Sequence, residues 1–121
     1  MKFEDWKNES DLGLVCKKLL DNADMDYSFS NCPLSLEIVF YVVGSDIKVL
    51  FSCSEISKLN IEKEHDDVPI HLVLEVNVWE ENESFHIQIM PEFNLELECK
   101  IFNWSIKEFS EQERLAVYPN A

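Results

Sequence analysis

The chain has only two glycines, Gly13 and Gly44, in 121 residues. That scarcity excludes glycine-rich phosphate loops and the D-x-[DN]-x-[DN]-G calcium loop, both of which need glycine at fixed positions. Basic residues are scarce too. Ten Lys and Arg against twenty-four Asp and Glu leave a formal charge of −14, and no Lys or Arg occurs between Glu64 and Cys99. A field of that sign repels nucleic acid and anionic membranes and favours encounters with basic partners. No run approaches the ~20 apolar residues of a membrane span. The N-terminal MKFEDWKNES carries acids where a secretion signal needs a basic and then an apolar run, so a cytoplasmic location is expected. The four cysteines form no C-x-x-C pair. Cys16, Cys53 and Cys99 stand in apolar phase and read as reduced core residues, which leaves Cys32, next to Pro33, as the reachable one.

What remains is enough for one domain spanning residues 1–121: a hydrophobic fraction of 46% with eight Phe suits a chain that buries a core. The clearest pattern runs from Ile70 to Trp104. Apolar residues recur at every second position through Ile70, Leu72, Leu74, Val76 and Val78, then Phe85, Ile87 and Ile89, then Phe93, Leu95, Leu97, Cys99 and Ile101. Strict alternation of this length predicts half-buried antiparallel strands. A loop centred on Glu81-Asn82 would pair Val78 with Phe85 and Val76 with Ile87, and a bend at Pro91-Glu92 would set Ile87 near Leu95. The outer face then carries the rows Glu75–Gln88–Asn94, Asn77–His86–Glu96 and Trp79–Ser84–Glu98.

Upstream, Ser10 to Asn22 predicts an amphipathic helix with Leu12, Val15, Cys16, Leu19 and Leu20 on one face. Asn8 or Ser10 can cap its start and Asn22 can close it. Ala23 to Pro33 reads as a polar connection. Leu34–Val43 and Ile47–Cys53 predict a hairpin with Gly44 in a type II′ turn, pairing Val42 with Ile47, Phe40 with Val49, Ile38 with Phe51 and Leu36 with Cys53. Its reverse face exposes Val39, Tyr41, Val43 and Leu50, a patch to be covered by the chain itself or by a second copy in a homodimer. Ser54 to Pro69 reads as a long charged connection. Ser105-x-x-Glu108 and Ser110-x-x-Glu113 both have capping-box spacing, and a short helix is expected from about Ser110 to Val117, with Phe109, Leu115, Ala116 and Tyr118 packing inward. Helix, two strands, connection, three strands and helix predict an α+β fold. Its five-stranded, mostly antiparallel sheet would carry an N-terminal and a C-terminal helix on one face.

Few constellations could carry chemistry. His65, Asp66, Asp67 and His71 are the densest potential metal ligands, but zinc needs three or four converging donors, and a charged loop accounts for these residues. His86, placed between Asn77 and Glu96, could act as a general base with Ser84 nearby, yet a flat sheet face lacks the concavity catalysis needs. The carboxylates are too abundant for any one pair to be informative. The chain is therefore expected not to be an enzyme and to need no cofactor or metal.

The remaining signal is an acidic surface with an aromatic anchor. Trp79 stands in polar phase among Glu80, Glu81 and Glu83, the composition of a partner-binding hot spot. The expected partner surface is Glu75, Trp79, Glu80, Glu81, Glu83, His86, Glu96 and Glu98. In size, acidity and lack of a catalytic set, the chain resembles bacterial immunity proteins. That likeness implies a non-catalytic inhibitor of a basic, nuclease-like toxin whose site the carboxylates would fill. The alternative is a small acidic cytosolic chaperone or adaptor acting as a dimer.

Overall fold

The computed structural model describes residues 1–31, 33–63, 71–90 and 93–119. Its first elements are two short helices, α1 (Phe3–Trp6) and α2 (Leu12–Val15), the second running directly into a π-helical turn, Cys16–Leu20. Asp11 caps α2, its carboxylate accepting from the Leu14 N–H at 3.2 Å, so the helix starts later than Asn8 or Ser10 would have it. The wider π turn keeps Val15, Cys16, Leu19 and Leu20 all buried while Lys17 and Lys18 stay exposed. Asn22 ends the segment with φ 66, a conformation Asn tolerates better than most residues.

Seven antiparallel strands follow: β1 (Ala23–Asn31), β2 (Leu34–Tyr41), β3 (Ile47–Lys63), β4 (His71–Val73), β5 (Glu75–Glu81), β6 (Ser84–Met90) and β7 (Phe93–Glu108), with α3 (Glu111–Val117) last. The sheet order is β4-β1-β2-β3-β7-β6-β5. Its two outermost strands, β4 and β5, are consecutive in the chain and separated only by the bend at Leu74. One segment thus pairs with β1 through Ala23↔Val73 and with β6 through Val76↔Ile89, and the sheet nearly closes into a barrel.

This overturns the expected five-stranded sheet with helices on one face. Two stretches expected to be connections are strands. In β1, Ala23 and Met25 are buried while Asp26 is exposed, and the short polar residues of its outer face hid the alternation. The first part of the Ser54–Pro69 stretch is the second half of β3, paired with β7 from Ser54↔Ile101 to Lys63↔Phe93. A register shift between Ile56 and Lys58, next to Glu55 at φ 52, breaks the period of two, so the inward set Cys53, Ile56, Leu59, Ile61 has no constant spacing. Bulges of this kind increase twist and help a sheet curl. The helices do not share a face either. The α2–π segment joins the interior, and α3 lies against the outside near the β2–β3 turn, where Arg114 hydrogen-bonds the Ser45 carbonyl.

The β2–β3 register is as expected, with Leu36↔Cys53, Ile38↔Phe51 and Phe40↔Val49. The turn differs. Ser45 N–H donates to the Val42 carbonyl at 3.2 Å and Gly44 has φ +75, so Gly44 is the second central residue, as a type II turn requires. The β5–β6–β7 registers are displaced by two residues from expectation: Val78 pairs with Ile87, not Phe85, and Ile87 pairs with Leu97, not Leu95. For the β5–β6 register the cause is the turn, Asn82-Glu83 at φ 54 and φ 63, the left-handed pair of a two-residue hairpin. A shift of two leaves every side chain on its face but changes its cross-strand partner. The inward phase does break in two places. Leu72 and Leu74 are 39% and 42% exposed while Val73 is buried, because the β4–β5 bend changes the phase. Ile101 is exposed because β7 passes from inward Cys99 to inward Phe102. β7 also continues through Ser105 to Glu108, where a helix start was expected.

The Ser110 cap is as expected, accepting from Glu113 N–H at 3.2 Å, a contact of about 1 kcal/mol. Of the four residues expected inward in this region, Phe109 is buried and Tyr118 half-buried, whereas Leu115 and Ala116 are exposed. Phe109 and Tyr118 cover Tyr41, with ring centroids 4.9 and 6.4 Å away. Lys48 pairs with Glu113, and the Tyr118 hydroxyl donates to Asp24. Asp46 ties both ends down, its carbonyl accepting from Phe109 N–H and its carboxylate from Phe3 N–H, each at 2.7 Å. The C-terminal segment is thus the intrachain cover for Tyr41, while Val43 remains exposed.

Alkali is expected to undo part of this packing. Burial, and secondarily Asp21, pushes the Cys16 thiol from 9.0 up to about 12. Burial and then the Asp24 hydrogen bond raise Tyr118, and burial followed by the charges of Asp26 and Glu113 raises Tyr41. In each case the folded chain holds a proton that the unfolded chain gives up sooner. Stability present below pH 9 is therefore lost as the pH climbs toward 12. Urea midpoints taken from pH 7 upward should hold level to about pH 9 and then decline. A midpoint that stays level through pH 11 would contradict the burial of these groups.

Candidate functional site

The expected partner surface lies on the outer face of β5, β6 and β7. Side chains alternate across a strand, so with Val76, Ile87 and Leu97 inward, Trp79, His86 and Glu98 must face out. They form one cross-strand row, Trp79↔His86↔Glu98, extended by Lys58 of β3. The next row is Asn77↔Gln88↔Glu96↔Asn60. These two rows replace the three expected from the displaced register. Ser84, the nucleophile weighed for His86, is buried and pairs with Glu81.

Trp79 and His86 stack face to face, with centroids 5.3 Å apart and planes within 8°. The Trp79 indole N–H donates to the Glu81 carboxylate at 3.4 Å. His86 Nε2 lies 3.4 Å from the Glu81 carbonyl oxygen and 3.9 Å from the Glu98 carboxylate. Glu81 thus holds both rings of the stack, and Trp79 is 43% exposed. Beside them a shallow groove of about 320 Å³ is lined by Lys58, Trp79, His86, Gln88, Glu96 and Glu98.

Five of the eight expected residues therefore converge: Trp79, Glu81, His86, Glu98 and, one row along, Glu96. Glu80 and Glu83 are exposed at and beside the turn. Glu75 is set apart at the far end of β5, opposite Met90, where its carboxylate accepts from the Asn77 amide at 3.3 Å. Lys58, Asn60 and Glu62 extend the face and were missed with the second half of β3. Their alternation with Leu59 and Ile61 was the available signal.

Among the described residues, no group of three or more His, Cys, Asp or Glu is arranged to hold a metal ion. The considered cluster of His65, Asp66 and Asp67 lies outside them, as does Cys32, and of His71 only the backbone, in β4, is described. Cys16, Cys53 and Cys99 are free and buried, as expected. Among the described residues no helix is long and apolar enough to cross a membrane.

No family model matches the chain, and no curated protein matches it. Among solved structures, an uncharacterized protein from Neisseria gonorrhoeae is similar. It is 16% identical over 69% of this chain and 90% of that one, with a TM-score of 0.56. At that identity the likeness shows a shared fold and nothing further.

Proposed function

We propose that this chain is a non-catalytic inhibitor that binds and neutralises a basic, nuclease-like toxin in the cytoplasm, as immunity proteins do. The observation that carries the reading is the stacked Trp79–His86 pair set among Glu81, Glu96 and Glu98 on an exposed sheet face. A pre-stacked aromatic loses little freedom on binding, and surrounding carboxylates can meet the cationic groups with which a nuclease holds phosphates. The formal charge of −14 supports the same reading by steering such a partner from a distance. The chaperone alternative needs a larger share of the Val39/Tyr41/Val43/Leu50 patch for a second copy, and the C-terminal segment already occupies Tyr41.

The test is capture from lysate of the protein's own source, with elution by a salt step. A stoichiometric basic protein whose toxicity on expression is relieved by co-expressing this chain is the expected result. Hydrophobic clients that resist salt, together with a mass that rises with concentration, would replace the inhibitor by the chaperone. If no basic protein elutes, the acidity serves solubility alone.

A further inference from the structure

We propose that the cavity beside the Glu80 end of β5 is an aromatic cage for a small quaternary ammonium compound that carries no acid group, choline being the simplest. Occupancy of this site does not depend on the inhibitor reading. The cavity, of about 260 Å³, exists because β6 stops short. β6 pairs with β7 from Ile89↔Leu95 only as far as Phe85↔Cys99, whereas β7 runs on to Glu108. Past Cys99 the inward rings of Phe102 and Trp104 therefore have no β6 residue paired opposite them. They line the cavity, and Leu12 of α2 closes another side.

Two more rings complete the walls. Phe85 lies 5.7 Å from Phe102 with planes tilted by 34°. Trp79 stands opposite His86 on β6 and stacks on it, planes within 8°. That stack covers the indole face turned toward β6. The face that leaves Trp79 43% exposed therefore turns away from β6, to the side of the cavity that Trp79 helps to line. Into this apolar setting the chain puts one charge. Glu80 shares the phase of Val78 and pairs with Phe85, so its carboxylate lies on the cavity side of the strand. Among the described residues it is the only charged one lining the cavity, and no Lys, Arg or His pairs with it.

These features select the occupant. Ring faces attract a cation through their quadrupole, more strongly where water is excluded. A primary ammonium needs acceptors for its three donors, which ring faces supply poorly. A quaternary ammonium has no donor to satisfy and presents methyl groups, which Leu12 and Val78 can meet. The volume is below the roughly 300–1,000 Å³ of pockets for drug-sized ligands, so the molecule is small. An acid group on it would meet the exposed Glu80, Glu81 and Glu83, which excludes a phosphate or carboxylate substituent.

The probe is choline, titrated into the full chain while indole and backbone N–H signals are followed by NMR. Saturable binding with a Kd of about 1 mM or below is expected, with shifts at Trp79, Glu80 and Trp104. The neutral isostere of choline, with carbon in place of nitrogen, should bind about tenfold more weakly. Glu80→Gln, at an exposed position, should weaken choline about fivefold. Trp104→Leu should weaken it about tenfold, and should that variant fold poorly, Trp79→Leu at the exposed ring gives a similar loss. Equal binding by the neutral isostere would leave an apolar pocket without a cage, and equal binding by ethanolamine would leave charge attraction alone. Either result overturns the site. So would no saturation up to about 10 mM, binding unchanged in both ring variants, or shifts confined to His86, Gln88 and Glu98, which would put the cation in the outer groove.

Discussion

Replacing Phe51 by alanine is expected to lower the unfolding free energy by about 3–5 kcal/mol, the range for deleting a buried aromatic ring. Phe51 is 1% exposed and sits in the middle of the interior. Its ring meets Phe40 edge-on at 4.9 Å and 68°, and Phe102 at 5.0 Å and 77°. Phe102 in turn approaches Phe85 at 5.7 Å, so rings from β2, β3, β7 and β6 form one connected line. Truncation at the centre opens a cavity with neighbours on three strands, and strands held in a nearly closed sheet cannot collapse to fill it. Stabilities of small domains are about 5–15 kcal/mol, so the variant should be partly unfolded at 37 °C or close to it. Phe51→Leu should recover most of the loss, because the volume is largely kept. Urea denaturation gives the comparison directly. A cost below about 1 kcal/mol for the alanine variant would mean that the interior is not packed around this ring.

Reversing Glu80, Glu81 and Glu83 to lysine is expected to slow association with the basic partner about 10- to 100-fold at low salt, with little effect on folding. All three are exposed, and exposed substitutions usually change stability by no more than about 0.5 kcal/mol. One contact is lost, the Glu81 acceptance from the Trp79 indole, so a small increase in Trp79 exposure should accompany the change. The effect should fade as salt is raised, because charges separated by more than about 10 Å are screened at 0.1 M. An equal reversal at the exposed Glu4, Asp5 and Glu37 changes the net charge by the same amount on other surfaces. Stopped-flow rates for the two triple variants separate local from global attraction. If both slow equally, the Trp79 face is not where the partner arrives. If neither slows, charge does not steer this encounter at all.

Much of the candidate site was legible before any coordinates. Trp79, His86, Glu96 and Glu98 were assigned to the outer face from alternation alone, and a register displaced by two residues preserves faces. Their neighbours were not legible. His86 was expected beside Asn77 and Glu96 and is instead beside Trp79 and Glu98; it meets Trp79 because two left-handed residues at Asn82 and Glu83 move the β5–β6 turn by one position. The stack that defines the site follows from that displacement. Lys58 and Asn60 were hidden for a related reason: the irregularity at Glu55–Lys58 interrupts the period that would have revealed them.

What this sequence determined by itself is the set of local choices that short-range chemistry decides. These are the inward and outward residues of β5, of β6 apart from the buried Ser84 and of most of β7, the β2–β3 register, the Ser110 cap, the helix-closing role of Asn22 and the sign of the surface. Each depends on a period, a cap or a turn within a few residues. The tertiary structure alone decided how many strands there are and how the sheet ends. A polar, aspartate-bearing segment such as β1 becomes a strand because β2 and β4 pair with it on either side. The bend at Leu74 likewise has a purpose only when one segment must bond β1 and β6 together. Near-closure is a condition on seven strands at once, met by pairing between residues far apart in the chain, and no local pattern states it.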